Sequence, residues 1–163
     1  MELGVDVRHL QETLQALVGE RNPCSGQRHL ASVEMFIEKE MAVMACRLKA
    51  TTSLFGGGNF RNVIGKLGGP SSKPAIIVGA HFDSVQGSPG ADDNASGVAV
   101  LLEAARLLSK IPLRTQVLFC AFQLEEFNMV GSRHFARQLK EAGSRVDAMM
   151  SLEASQARLD ISD

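Results

Sequence analysis

Apolar residues recur at helical spacing through the first quarter of the chain and in strand-like runs after it. Val7, Leu10, Leu14 and Leu17 fall on one face, which predicts a first helix stopping near Gly19 and Pro23. Leu30, Val33, Phe36, Ile37 and Met41 share the face of a second helix from about Gly26 to Met44. These two core-packing helices occupy roughly residues 6–45. From Arg47 the pattern changes. RLKATTSL and NVIGKL read as two strands joined through Phe55-Gly56-Gly57-Gly58-Asn59. A phosphate cradle needs a strand before its glycines and a helix after them; here a strand follows, so the run reads as a hairpin loop.

After the turn at Gly68-Gly69-Pro70, AIIVGA is a continuous apolar strand of the kind buried on both faces. A helix over 95–109, a strand TQVLFCAF over 115–122, a helix near 130–142 and a last strand in VDAMMSLE follow. The alternation predicts an α/β fold: a largely parallel (mixed) sheet flanked by helices, with right-handed crossovers. Ligand chemistry in such sheets gathers at the carboxyl ends of the strands.

Length and composition then narrow the options. At 163 residues the chain reads as a single domain over 1–163, long enough for a real core. Net charge is −1, with no block of Lys or Arg and no Trp or Tyr to stack on bases, which argues against a nucleic-acid partner. MELGVDVRHLQETLQ carries acids early and lacks a signal-like apolar run, and no window nears a membrane span. The expectation is a chain without a membrane partner, in the cytoplasm unless a leader is absent from it. Cys24, Cys46 and Cys120 are too few and scattered for a disulfide framework or a Cys-x-x-Cys zinc site. Cys120, in VLFCAF, reads as a small buried apolar residue.

The candidate chemistry lies past the strand ends. His81 and Asp83 follow AIIVGA, Glu125 and Glu126 follow VLFCAF, Glu153 ends AMMSLE, and Asp92-Asp93 precede helix 95–109. One histidine beside one aspartate is usually a surface pair. Acids at three consecutive strand ends are harder to explain that way, and imidazole with several carboxylates is a ligand set for zinc, singly or in bridged pairs. Asp83 can accept the distal N–H of His81 and fix its tautomer. Side-chain alternation would aim Glu125 and Glu126 in different directions. Asp92 reads more simply as a helix cap with Asn94 and Ser96. His9 and His29 read as solvated, and His134 as exposed on its helix.

AHFDS, PGADDNASG, AFQLEE and GSRHFARQL, with the lead-in LVGERNP and FRNVIGKL, resemble the M28 zinc aminopeptidases and carboxypeptidases over about residues 8–153. The resemblance implies two zinc ions bridged by Asp93, with His81 and Glu153 completing one site and Glu126 serving the other. It also implies Glu125 as general base, Asp83 as the acid orienting the histidine, and a cis peptide between Asp93 and Asn94. The substrate it implies is a peptide N-terminus. The family carries a last histidine ligand well beyond the third acid, and ASQARLDISD stands here instead. The expectation is therefore an incomplete M28 domain with weak or no exopeptidase activity, prone to self-association through an exposed sheet edge. A non-catalytic zinc-binding or interaction protein is the alternative, and a glutaminyl-cyclase-like acyltransferase, which uses one zinc, a more distant one. The DDNASG loop and the paired glutamates favour the peptidase branch over the cyclase.

Overall fold

The structure, a computed structural model, describes residues 4–69 and 74–153. Helix α1 (Val7–Leu17) starts at Asp6, whose side chain accepts a hydrogen bond from the His9 amide as a helix cap does. Helix α2 (Gln27–Val43) buries Leu30, Val33, Ile37 and Met41, the face anticipated from their spacing. In α1 only the later part of the stripe is covered: Leu17 is fully buried and Leu10 and Leu14 partly, while Val7 is exposed. Thr13 takes the buried place beside them.

Strands β1 (Arg47–Phe55) and β2 (Gly58–Leu67) form an antiparallel hairpin. Its turn is shorter than the glycine run suggested. Gly56 and Gly57 alone make it, both at positive φ, the geometry that suits a two-residue hairpin turn. Strands β3 (Ala75–His81), β4 (Gln116–Phe122) and β5 (Val146–Ser151) follow, linked by helices α3 (Gly97–Leu108) and α4 (Val130–Glu141). The sheet runs β1-β2-β4-β3-β5. β4–β3 and β3–β5 pair in parallel, and β1–β2 and β2–β4 antiparallel, so the sheet is mixed.

Alternation along the inner strands divides two cores. Val63, Val117, Phe119, Ala121 and Ala80 point to the face covered by α1, α2 and α3. Ile64, Ile77, Leu118, Cys120 and Phe122 point to the other, where Phe135 of α4 packs on them. β4 is buried at every position, which explains its unbroken apolar sequence. β5 is exposed throughout, Met149 and Met150 included. Among the described residues, no helix is long and apolar enough to cross a membrane.

The topology also fixes where chemistry can sit. The chain leaves β3 for β4 on one side and returns from β4 to β5 on the other. The carboxyl end of β3 is therefore a switch point flanked by two parallel neighbours, the crevice in which open α/β sheets bind ligands.

Candidate metal centre

His81 is the last residue of β3 and is almost fully buried. Its Nε2 lies 3.0 Å from Asp93 Oδ1, 3.7 Å from Glu153 Oε2 and 4.0 Å from Glu125 Oε2. Those three carboxylates belong to separate segments. Asp93 sits in a kinked turn over Ala91–Ser96, where it and Asn94 leave helical backbone geometry and the peptide between them is cis, as anticipated. Glu153 follows β5, its Oε1 accepting from Ser151 Oγ at 3.1 Å. Glu125 follows β4. The histidine forms the floor of the site and the acids its mouth: side-chain exposure is 3% for His81 against 66% for Asp93, 56% for Glu153 and 34% for Glu125.

The glutamate pair does not ride on a strand. Leu124, at φ 61°, breaks β4 before it reaches them. They occupy the following turn, so the alternation expected of adjacent strand residues does not apply. Each offers a carboxylate oxygen that, with a ring nitrogen of His81, forms a group of donors within 4.8 Å of one another. His81, Asp93 and Glu153 form a second such group. Both donor sets share the one imidazole.

Asp83 lies fully buried behind His81. One oxygen stands 3.5 Å from Nδ1 of the ring, long for a hydrogen bond. Its two oxygens accept instead from the amides of Glu125, at 3.1 Å, and Glu126, at 3.2 Å. Asp83 thus joins the ends of β3 and β4 and fixes the backbone of the glutamate pair. The charge balance is skewed. Burial alone would lower the His81 pKa, but contact with Asp83 and the charges of Glu125 and Asp93 outweigh it and lift the ring to about 9. Burial raises the Glu125 carboxyl pKa, with His81 opposing and Asp83, Glu153 and Asp93 adding to it. Burial also raises that of Glu126, reinforced next by Asp93. Glu126 Oε1 is buried with no hydrogen-bond partner among the described residues.

A cluster of acids around one imidazole, each at odds with its neighbours, is the environment a divalent cation relieves. The donors are nitrogen and carboxylate oxygen, which suits zinc. His81, Asp93 and Glu153 fit such an ion. Asp92 is exposed and forms no cap; Asn94 does so, its Oδ1 accepting from the Gly97 amide at 3.0 Å. Asn94 Nδ2 also donates to Leu152 O at 2.7 Å, tying this turn to the residue before Glu153. His9, His29 and His134 stand outside both donor sets. His134 is half-buried, not exposed, its Nε2 3.0 Å from Gln138 Nε2.

The family model for peptidase family M28 matches residues 62–161. The chain belongs to that family. An uncharacterised protein of Escherichia coli, YfbL, is 35% identical over 127 residues, 72% of this chain and 39% of that protein. Aminopeptidase YwaD of Bacillus subtilis is 47% identical over 66 residues, 40% of this chain and 14% of that protein. Among solved structures, the LapA aminopeptidase of Legionella pneumophila superposes with a TM-score of 0.79 at 23% identity, covering 90% of this chain and 42% of its own. A glutaminyl cyclase from Porphyromonas gingivalis gives 0.78 at 22% identity, covering 94% and 60%. At such identities these two likenesses establish the fold alone. The chain spans well under half the length of the curated relatives it matches. M28 peptidases are zinc-dependent in general, in keeping with the donor groups around His81.

Two buried polar residues, Asn62 and Arg21, brace this rim from within the motifs FRNVIGKL and LVGERNP. Asn62 of β2 accepts the Gln123 amide at 3.0 Å and donates to Gly131 O at 3.0 Å, bracing the turn that holds Glu125 and Glu126. Arg21, fully buried between α1 and α2, holds the loop after β3. Those motifs do not show what either residue does, because their partners are mostly backbone groups brought near only by folding.

Proposed function

We propose that this chain carries the metal-binding rim of a zinc-dependent exopeptidase that removes residues from peptide N-termini. The supporting observation is the convergence of Asp93, Glu153 and Glu125 on His81 Nε2, from three segments, at 3.0 to 4.0 Å. In this reading His81, Asp93 and Glu153 hold one zinc, and Asp93 with Glu126 contributes to a second position. Bound zinc supplies Lewis acidity, which polarises a peptide carbonyl and makes water a better nucleophile at neutral pH. Asp83 keeps the imidazole in place and holds the Glu125 and Glu126 amides. Glu125 takes a proton from the attacking water and returns it to the leaving amine. Burial pushes its carboxyl pKa above the ordinary carboxylate value, which makes it a stronger proton acceptor.

The first position has an imidazole and two carboxylates, whereas the second has, among the described residues, the carboxylates of Asp93 and Glu126 alone. The 163-residue chain by itself therefore binds about one tight zinc and turns over weakly. Its exposed β5, with apolar Met149 and Met150, favours self-association, to be read by size-exclusion chromatography.

The test is zinc titration against a chromophoric chelator, followed by assay on a leucyl anilide and on a peptide beginning with glutamine. One tight equivalent, lost in His81→Ala, with slow release of the anilide is the expected result. Tight zinc with no turnover would support a non-catalytic metal-binding protein. Cyclisation of the glutaminyl peptide would move the chain to the acyltransferase branch. Binding undiminished in His81→Ala would overturn the assignment of the rim.

A further inference from the structure

The segment 82–90 joins His81 to the turn that carries Asp93, and one side chain from outside the segment grips both of its ends. Arg21 is 0% exposed. Its Nε donates to Phe82 O at 2.7 Å, and its Nη2 to Gly90 O at 2.7 Å. Its Nη1 donates to Leu17 O at 2.7 Å, Gly19 O at 2.7 Å and Pro89 O at 2.9 Å. Neighbouring groups repeat the connection: Arg21 N donates to Ser84 Oγ at 2.9 Å, and Asn22 Nδ2 to Ser84 O at 3.2 Å. The acceptors of the guanidinium are all carbonyls. Asp83 and Asp93 act on it only through space, where they oppose the lowering of its pKa by burial.

Core packing alone gives no reason for this arrangement. A buried guanidinium costs far more to desolvate than an apolar side chain of its size, and it recovers that cost only through hydrogen bonds in the fixed directions of its planar fork. Those directions lead to the site. Phe82 lies between His81 and Asp83, and Pro89 and Gly90 immediately precede the Ala91–Ser96 turn. Gly90 adopts φ 57°, and a Cβ there would stand 2.5 Å from Arg21 Nη2 and 2.7 Å from Asp93 O, so the backbone is seated directly against the fork. A lysine could reach one of these carbonyls, but it could not hold Phe82 and Gly90 together with two donors fixed in one rigid plane.

We propose that Arg21 is a positioning residue that fixes the spacing between His81 and Asp93, and so sets the zinc affinity of the rim, an inference that rests on the zinc reading above. It touches neither donor and acts through the backbone between them.

The test compares zinc dissociation constants for the wild type, Arg21→Lys and Leu101→Ala, by chelator competition at a temperature where each is folded by circular dichroism. Leu101, fully buried on α3, controls for general loss of stability. Arg21→Lys is expected to weaken zinc by about tenfold or more, as loss of a support behind a ligand does. Leu101→Ala should stay within about twofold, as expected of an uncoupled site. Equal affinity in Arg21→Lys and wild type overturns the proposal, and so does an equal loss in both variants. A second measurement on the wild type requires no folded variant. If clamp and metal are coupled, zinc must slow solvent exchange of the Arg21 Nε proton more than that of the Leu101 amide, by reciprocity. Equal changes at both would overturn the proposal. A wild-type chain that binds no zinc overturns the zinc reading itself, and this inference with it.

Discussion

Glu125 offers the cleanest separation of chemistry from binding, because glutamine keeps its shape and loses only its ability to take a proton. In the proposed reading Glu125→Gln lowers kcat on a leucyl anilide by about 100- to 10,000-fold, the usual range for a general base. Zinc affinity should change only a few-fold, since the set His81, Asp93 and Glu153 is untouched. A parallel loss of zinc would instead make Glu125 a ligand. The imidazole carries a second prediction at this scale. With its pKa at about 9, His81 is protonated at neutral pH before metal binds, under the combined influence of Asp83, Glu125 and Asp93. Metal requires the neutral ring, so binding expels that proton. Apparent zinc affinity should therefore rise about tenfold per pH unit from pH 6 to 8 and level off above about 9. Calorimetry in buffers of different ionisation heat checks this by counting the proton released; a flat profile would place the proton elsewhere.

At the scale of elements, the site depends on short junctions and not on the regular elements around them. Gly131 opens α4 where a Cβ would lie 2.0 Å from Gln123 O and 2.5 Å from Asn62 Oδ1. Gly131→Ala should push apart the brace behind the glutamate pair and cost about 1–3 kcal/mol, as overpacking does. Urea unfolding measures that cost, and a variant as stable as the wild type would show that the turn yields freely. These junctions also mark the limit of what could be read from residue order. Helices and strands were legible because their periodicities reflect burial on a face, as with Leu30, Val33, Ile37 and Met41 of α2. The proximity of His81, Asp83, Asp93, Glu125, Glu126 and Glu153 was legible because each sits beside a strand end or helix start. The turn at Leu124 and the grip of Arg21 on its carbonyls were not. Each answers to backbone atoms whose positions only the folded chain defines.

For the whole molecule, the division of the sheet predicts uneven stability. β4 is buried along its length and paired on both sides, whereas β5 is exposed and, among the described residues, paired only with β3. Amide exchange should be slowest at Phe119–Ala121 and fastest, among the strands of the parallel half, at 146–151. The reverse order would mean that β5 is covered in solution. The run VDAMMS gave no warning of this difference, since apolar residues on an edge and in a centre look alike in a sequence.

Glu153 follows β5, at the edge of the described sheet. It is attached to the least protected strand of the parallel half, while His81 ends β3, which is paired on both sides, and Asp93 lies in the turn before α3. An ion held by all three would act as a staple, closing two long loops of chain with a single knot. Its stabilising effect would therefore be local before it is global. Stripping zinc with a chelator should lower Tm by the amount set by affinity and free metal. It should loosen 146–151 well before Phe119–Ala121, so that the protein frays from its fifth strand like a hem whose last stitch has been cut.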